Sequence, residues 1–214
     1  MRNIKTLILI SVFFAFGCTY AQNLTEDEAE KYSSQKSVVE FKFYGEIQLF
    51  NPTFFGEHFL NQAYEQSALG FGLYMNLLNY RKFNLGIGYS SFRSSLTDAS
   101  LAGNFERSTY RTYFAQLNYE ILKTNNFNAG ISLGYGANYV RQFTRSTRRG
   151  RYSTDEWRTG AYLIYEFTKT FNLSFRANYL TTNANIERPS QADDLFVRTH
   201  LMNLSLGFIF KFGN

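Results

Sequence analysis

Residues 127–136 read Phe-Asn-Ala-Gly-Ile-Ser-Leu-Gly-Tyr-Gly, so that larger, mostly apolar residues alternate with glycine, serine and asparagine. A period of two places these two sets on opposite faces of an extended chain, which predicts a β-strand. Seven other stretches alternate in the same way, at 39–49, 69–77, 85–90, 113–121, 161–167, 171–179 and 202–212. Eight strands are therefore expected, an even number that suits an up-and-down antiparallel barrel.

The connections between these strands fall into two kinds. The pair Phe-Asn recurs every 44 residues, at 83–84, 127–128 and 171–172, and each copy begins a strand directly after a short polar turn. Short turns are expected near 79–82, 122–126 and 168–170, and long loops near 51–66, 94–108, 144–154 and 181–194. Outer-membrane barrels have this division, with short turns in the periplasm and long loops outside.

The composition favours β-structure in one domain. The chain has 214 residues, of which 19% are aromatic, with 23 Phe and 16 Tyr against two Pro. This length excludes a large multidomain enzyme, and the aromatic content excludes disordered and collagen-like classes. The longest apolar stretch, 7–16, is shorter than the roughly 20 residues of a membrane-spanning helix.

The first residues predict export. A basic start, the apolar stretch 7–16 and the sequence Thr-Tyr-Ala at 19–21 are typical of a secretory signal peptide, here 1–21 with cleavage after Ala21. The one cysteine, Cys18, lies inside it, and lipoprotein cleavage before Cys18 is the alternative. Ordinary cleavage would leave no thiol for a disulfide or a metal site.

The net charge and the binding motifs present in the sequence limit the classes of partner. Removing the signal peptide lowers Lys+Arg from 22 to 20 and the net charge from +5 to +3, so the basicity is weak evidence for a nucleic-acid partner. No nucleic acid, metal or cofactor is expected, because phosphate-loop and paired metal-ligand motifs do not occur. Residues 22–37 are expected to form a polar periplasmic segment before a barrel domain at 38–212.

The size of the apolar side chains predicts which face of the barrel is inside. An eight-stranded barrel has an interior only just wide enough for side chains, and these large residues cannot all fit there. The opposite face, rich in glycine and small polar residues, is therefore expected to line a narrow polar interior. Strands of roughly 9 to 12 residues also match a tilted membrane crossing. Aromatic residues recur at two levels, as interfacial girdles require: Phe83, Phe127, Phe171 and Phe212 at one, Tyr89, Tyr113, Tyr135 and Tyr179 at the other.

The inward face carries candidate functional charges. They are Glu40, Lys42, Glu46, Glu120, Arg158, Glu166, Arg176 and Lys211. These residues would line a conduit for small ions or form a salt-bridged plug, since buried charges must be paired. The plug is favoured because eight strands leave little lumen.

A second set of charges is outward and basic. The strand alternation, extended beyond the apolar band, places Arg93, Arg111 and Arg141 on the lipid-facing side of three consecutive strands. Arg145 lies further out, and Arg198 lies on the last strand. Arginine binds phosphate in a bidentate manner, so this rim is a candidate contact for lipopolysaccharide. Ordinary flanking charge is the alternative, and Arg148, Arg149 and Arg151 are expected in a solvated loop.

The hairpin pattern, the signal peptide and the last strand, Leu204 to Phe212, together resemble the small eight-stranded outer-membrane barrels of the OmpA and OmpX type. The resemblance covers about 38–212 and implies a member without a peptidoglycan-binding domain. It also implies that the barrel assembly machinery reads the aromatic last strand, with Phe208, Phe210 and Phe212 as the signal. Two residues follow Phe212, which departs from a strictly terminal aromatic residue.

Catalysis is a third hypothesis, since some small outer-membrane barrels modify the acyl chains of lipid A. Those resembling deacylases have a serine two residues after a histidine, but Met202 stands there after His200. His58, with Glu57 beside it and Ser67 in the same region, is the other candidate base. A lone loop histidine is typically exposed and inert, so no catalytic residue is expected.

The sequence thus predicts an all-β, eight-stranded antiparallel up-and-down transmembrane barrel, a monomer in the bacterial outer membrane. Its expected role is structural or surface-interactive and non-catalytic, with loops offered to extracellular ligands. A narrow passive channel is the main alternative, and a soluble secreted barrel that binds an apolar ligand is another.

Overall fold

The computed structural model describes residues 39–40, 43–56, 64–66, 69–97, 105–144, 147–168, 170–184 and 198–212. Contacts divide the chain into two units, residues 1–38 and residues 39–214, and every described residue belongs to the second. The expectations for the signal peptide, for Cys18 and for residues 22–37 therefore lie outside the described residues.

Eight long antiparallel strands form a closed ring. They are β1 (Tyr44–Phe55), β2 (Gly70–Tyr80), β3 (Phe83–Leu96), β4 (Arg107–Lys123), β5 (Phe127–Thr144), β6 (Thr147–Glu166), β7 (Phe171–Ala184) and β8 (Arg198–Lys211). Each strand pairs with the next in sequence, and β8 pairs with β1 over twelve positions, from His200 opposite Phe55 to Lys211 opposite Tyr44. The predicted eight-stranded up-and-down barrel is confirmed.

Two short strands extend this ring at its ends. Val39–Glu40 pairs with the last residues of β2, and Tyr64–Gln66 pairs with Ser94 to Leu96 of β3. None of the described residues forms a helix long and apolar enough to cross a membrane.

The strands are longer than their alternation indicated. β5 has 18 residues and β6 has 20, and only 145–146 separate them. The predicted loop at 144–154 is therefore wrong, and the loops predicted at 51–66, 94–108 and 181–194 begin or end inside β1, β3, β4 and β7. The pattern changes there because outward residues become polar, as at Arg93 and Arg141, while the inward neighbours Phe92 and Val140 are buried and apolar.

The apolar residues of the alternating pattern lie on the outside of the barrel. Ile131 and Leu133 are 51% exposed, and Leu206 is 57% exposed, whereas Ser132 and Ser205 beside them are buried. Rings pair across neighbouring strands at two levels: Phe83 with Tyr119 at 4.9 Å and Phe127 with Tyr165 at 5.0 Å near the short turns, and Tyr89 with Tyr113 at 5.1 Å and Tyr135 with Trp157 at 4.9 Å towards the other end. An apolar exterior band thus lies between two aromatic levels, the lower one near the short turns and the upper one towards the other end of the barrel.

Candidate functional site

A buried ion pair lies across the lower part of the barrel interior. Arg176 Nε is 2.9 Å from Oε1 of Glu46, and Nη2 is 2.6 Å from Oε2. The exposed fraction of the two side chains is 3% and 0%. Glu46 Oε1 also accepts hydrogen bonds from Gln48 Nε2 at 2.8 Å and from Ser174 Oγ at 2.5 Å. The carboxylate is therefore paired and hydrogen-bonded, as a buried charge requires.

Two tyrosine rings flank the guanidinium of Arg176. Its Cζ is 5.3 Å from the ring centroid of Tyr74 and 5.3 Å from that of Tyr162. Tyr74 Oη accepts a hydrogen bond from Asn118 Nδ2 at 2.8 Å. A cation held over aromatic faces away from water gains about 2 kcal/mol. The rings and the pair together fill this level of the interior.

Glycines on neighbouring strands leave the space that these rings occupy. A Cβ at Gly86 would lie 2.3 Å from Tyr74 Oη, and one at Gly130 would lie 2.7 Å from Tyr162 Cζ. The same Gly130 Cβ would be 2.1 Å from the carbonyl oxygen of Tyr119, which is backbone and cannot rotate away. The inward glycines of the sequence pattern are thus places where large interior side chains cross the lumen.

We expect Gly130→Ala to lower the free energy of unfolding by about 1–3 kcal/mol, because the added methyl overlaps both backbone and the Tyr162 ring. Gly72→Ala is the matched control, since a Cβ there meets only ordinary contacts, the nearest being Gln48 Oε1 at 3.4 Å. Urea unfolding of the protein folded in lipid vesicles measures both. Equal unfolding free energies for the two variants would contradict this description of the interior.

A second ion pair lies on β6, further from the short turns. The Nη2 of Arg158 contacts Glu156 Oε1, and Thr112 Oγ1 donates to Glu156 Oε2 at 2.9 Å. The guanidinium carbon of Arg158 lies 3.5 Å from the ring centroid of Phe114. The sequence pattern predicts Arg158 as an interior charge but not Glu156, because the alternation used for this strand begins only at 161. The inward alternation of β6, followed back from Gly160, would have found it.

Beyond the two ion pairs, the interior is filled by apolar side chains. Phe92 and Tyr110 stack with ring centroids 4.4 Å apart, and Phe54 lies 5.9 Å from each of them. The whole buried cluster, here called the apolar plug, consists of Phe50, Phe54, Phe92, Tyr110, Val140, Leu180 and Leu201. The predicted polar interior is therefore wrong at this level. The alternation did not reveal the cluster, because most of these residues fall in the predicted loops or at the predicted strand ends.

Three of the other predicted interior charges, Glu120, Glu166 and Lys211, lie at the end with the short turns. Lys211 Nζ is 3.3 Å from Glu166 Oε1, and these side chains are 37% and 31% exposed. Glu120 accepts a hydrogen bond from Asn128 Nδ2 at 2.5 Å. The side chain of Glu40 and all of Lys42 lie outside the described residues. Among the residues that the structure does describe, ion pairs therefore occur at separate levels of the barrel.

Arginines form a group on the outside of four neighbouring strands, beyond the upper aromatic level. This arginine belt consists of Arg93 on β3, Arg107 and Arg111 on β4, Arg141 on β5 and Arg151 on β6. Arg93 and Arg141 both pair with Thr109, and Arg141 pairs directly with Arg151. Like charges opposite each other destabilise a strand pair, so an anion bound here would be favourable.

The belt differs in part from the predicted rim. Arg198 lies outward on β8, on another side of the barrel, and Arg145 is outside the described residues. Arg148, Arg149 and Arg151 were expected in a loop, but all three belong to β6. That expectation was wrong because the hairpin of β5 and β6 continues nearly to its tip.

Comparison with known proteins adds evidence on the fold. No protein-family model matches the sequence, and no curated protein matches it. The neisserial surface protein A structure is similar with a TM-score of 0.53 and 14% identity, covering 79% of this chain and 97% of that one. A major outer membrane protein from Thermus thermophilus gives a TM-score of 0.52 and 12% identity, covering 80% of this chain and 99% of that one.

The chain has the fold of a small eight-stranded outer-membrane β-barrel. At such low identity the likeness concerns the fold, so residue roles must come from this barrel's own geometry.

The last strand of the barrel carries the predicted assembly signal. Phe208 and Phe212 are 43% and 65% exposed, and the ring of Phe171 lies 5.5 Å from Phe208 and 5.3 Å from Phe210. The amide of Phe212 donates to the carbonyl oxygen of Phe43 at 3.0 Å. These aromatic residues thus belong to the lower aromatic level, beside the seam between β8 and β1.

The histidine candidates are placed only in part. His200 lies on the outside of the barrel, where its Nδ1 is 2.7 Å from Tyr179 Oη and its ring stacks on Tyr179 and Phe55. Glu57, His58 and Ser67 lie outside the described residues. Within the described part of the chain, no group of three or more His, Cys, Asp or Glu side chains could hold a metal ion.

Proposed function

We propose that this protein is a non-catalytic, non-conducting barrel of the outer membrane of a diderm bacterium, with a structural or surface-interaction role. The apolar exterior between two aromatic levels supports the membrane location, because outer-membrane barrels have such a band with a girdle at each interface. The signal peptide predicted from the sequence supports export.

The observation that carries the proposal is the obstructed interior. An ion entering from the short-turn end would meet the buried pair of Glu46 and Arg176 and then the pair of Glu156 and Arg158. It would next meet the apolar plug, whose members are at most 9% exposed. An apolar constriction repels a hydrated ion, and eight strands leave no second path through the interior.

Reconstitution into planar bilayers tests this proposal. We expect no steady conductance steps from protein whose folded state is verified by heat-dependent gel mobility, with a larger porin as the positive control for insertion. Steady openings of uniform size would overturn the non-conducting role and establish the alternative, a narrow passive channel. Purification of folded protein without detergent would instead overturn the membrane location.

The proposed partners follow from the surface. The apolar band would contact membrane lipid, and the arginine belt would contact lipopolysaccharide, since guanidinium groups bind phosphate in a bidentate manner. The aromatic last strand would engage the barrel assembly machinery, and the loops would meet extracellular ligands. We expect a monomer, because the closed ring leaves no long strand edge unpaired.

A further inference from the structure

A groove of about 730 Å³ lies on the outside of the barrel, where its lining residues come from β1 to β5 and from the end of β8, at Phe210 and Phe212. Small residues, Gly45 on β1 and Ala115 on β4, form its floor. Met75, Tyr89 and Tyr113 are among the larger side chains that line it. This groove, here called the outer groove, lies within the apolar band, where lipid chains replace water.

The arginine belt begins directly beyond the outer groove. Going away from the short turns, Arg111 lies two strand positions beyond Tyr113, about 7 Å along β4, and Arg93 lies four positions beyond Tyr89, about 13 Å along β3. Ser91 pairs with Arg111, and Arg111 pairs with Tyr139, so hydroxyl groups share the same row. Apolar and cationic surfaces therefore adjoin on one side of the barrel.

The belt also has unused hydrogen-bonding capacity. The Nε atoms of Arg107, Arg111 and Arg141 are shielded from solvent and have no hydrogen-bond partner among the described residues. Three described carboxylates lie near the five arginines of the belt: Asp155 on β6, Glu106 beside Arg107, and Glu65, which pairs with Ser95, the strand partner of Arg107. Asp155 and Glu106 have contacts of their own. The positive charge of the belt thus exceeds the negative charge near it.

We propose that the outer groove and the arginine belt form one binding site for an anionic lipid, whose headgroup phosphate has no compensating positive charge. An acyl chain occupies the groove, and Arg111 and Arg141 hold the phosphate. Bidentate hydrogen bonds from guanidinium explain why arginine recurs here, and a chain bound between Met75 and Tyr113 fixes the side of the barrel on which the headgroup sits. The proposal rests on the membrane location proposed above.

The single tryptophan of the chain provides a local probe. Trp157 lies 4.9 Å from the ring of Tyr135, which lines the outer groove, so a brominated chain bound there should quench its fluorescence. The protein is reconstituted in vesicles of phosphatidylcholine with a minority of phosphatidylglycerol, with bromine on the chains of one lipid or of the other. We expect quenching to show a preference for phosphatidylglycerol of about fivefold for each arginine engaged.

Matched variants separate the two halves of the site. Arg111→Gln with Arg141→Gln should remove the preference, and Arg111→Gln alone should lower it about fivefold. Arg198→Gln, the same single change on β8, should leave it. Ala115→Leu fills the floor of the groove and should weaken the preference several-fold. Ala161→Leu is its control, since Ala161 is also an exposed outward alanine but lies on β6 outside the groove.

Three outcomes would overturn the inference. They are equal quenching by the two lipids in the unaltered protein, equal losses in Arg198→Gln and in the double belt variant, or an unchanged preference in Ala115→Leu. Heat-dependent gel mobility in the same vesicles reports separately on the proposed function. Folded protein without a lipid preference would defeat this inference alone, whereas failure to fold in vesicles would defeat the membrane location.

Discussion

Replacing Glu46 by leucine should destabilise the folded barrel by about 3–5 kcal/mol, because it leaves the buried guanidinium of Arg176 without its counter-charge. Arginine does not lose its proton in proteins, so the charge cannot be removed by titration. The two flanking tyrosine rings can offset only part of this cost. Urea unfolding in lipid vesicles, followed by Trp157 fluorescence, measures the change in the free energy of unfolding.

Two further variants decide whether the cost comes from the unpaired charge. The double variant Glu46→Leu with Arg176→Met should recover most of the lost stability, since apolar residues of similar volume often replace a buried pair without loss. Glu166→Leu breaks the half-exposed pair with Lys211 and should cost at most about 1 kcal/mol. A cost at Glu46 no greater than at Glu166 would mean that water reaches this level, and the closed interior would be refuted.

The sequence predicted the barrel because alternation is a local property. A period of two with large apolar residues identifies a strand and its outer face from a few positions, as in 127–136. The short turns were also predictable, since three similar Phe-Asn pairs follow them. Strand ends were not, because beyond the apolar band the outward face becomes polar and the inward face apolar, as at Arg93 and Phe92.

The contents of the interior depend on pairing between strands, which alternation alone does not give. The sequence indicated that Glu46 and Arg176 both face inward, but not that they meet, since 130 residues separate them. Likewise, the role of Gly130 follows from its register opposite Tyr162. The alternation along each strand is enough to place Arg111 and Arg141 on the outside. Their position next to the outer groove depends on how several strands pack side by side.

The filled interior and the apolar and cationic exterior together limit which surfaces of the barrel can have a function. A barrel whose lumen is filled by ion pairs and aromatic rings presents only its outer wall and its loops to other molecules. The arginine belt and the outer groove are on that wall, so the proposed lipid binding would use a surface that a channel would not need. The exterior must therefore face a bilayer for either proposal to hold.

Leu133→Arg tests that requirement directly. Leu133 lies outward on β5 between the two aromatic levels, and an arginine on the lipid face near the middle of the bilayer costs about 2–4 kcal/mol. We therefore expect the free energy of unfolding in vesicles to fall by this amount. The measurement is the same urea titration, with folding verified by heat-dependent gel mobility.

Leu122→Arg is the matched control, because it makes the same change at the short-turn end of β4, where the cost near the interface should be about 0–1 kcal/mol. Leu133 is 51% exposed and Leu122 is 55% exposed, so the two positions are nearly equivalent for a barrel in water. Only an apolar medium around the middle of the barrel can make the two substitutions differ in their effect on the free energy of unfolding. Equal effects of the two substitutions would show that the exterior faces water, and the outer-membrane location would have to be abandoned.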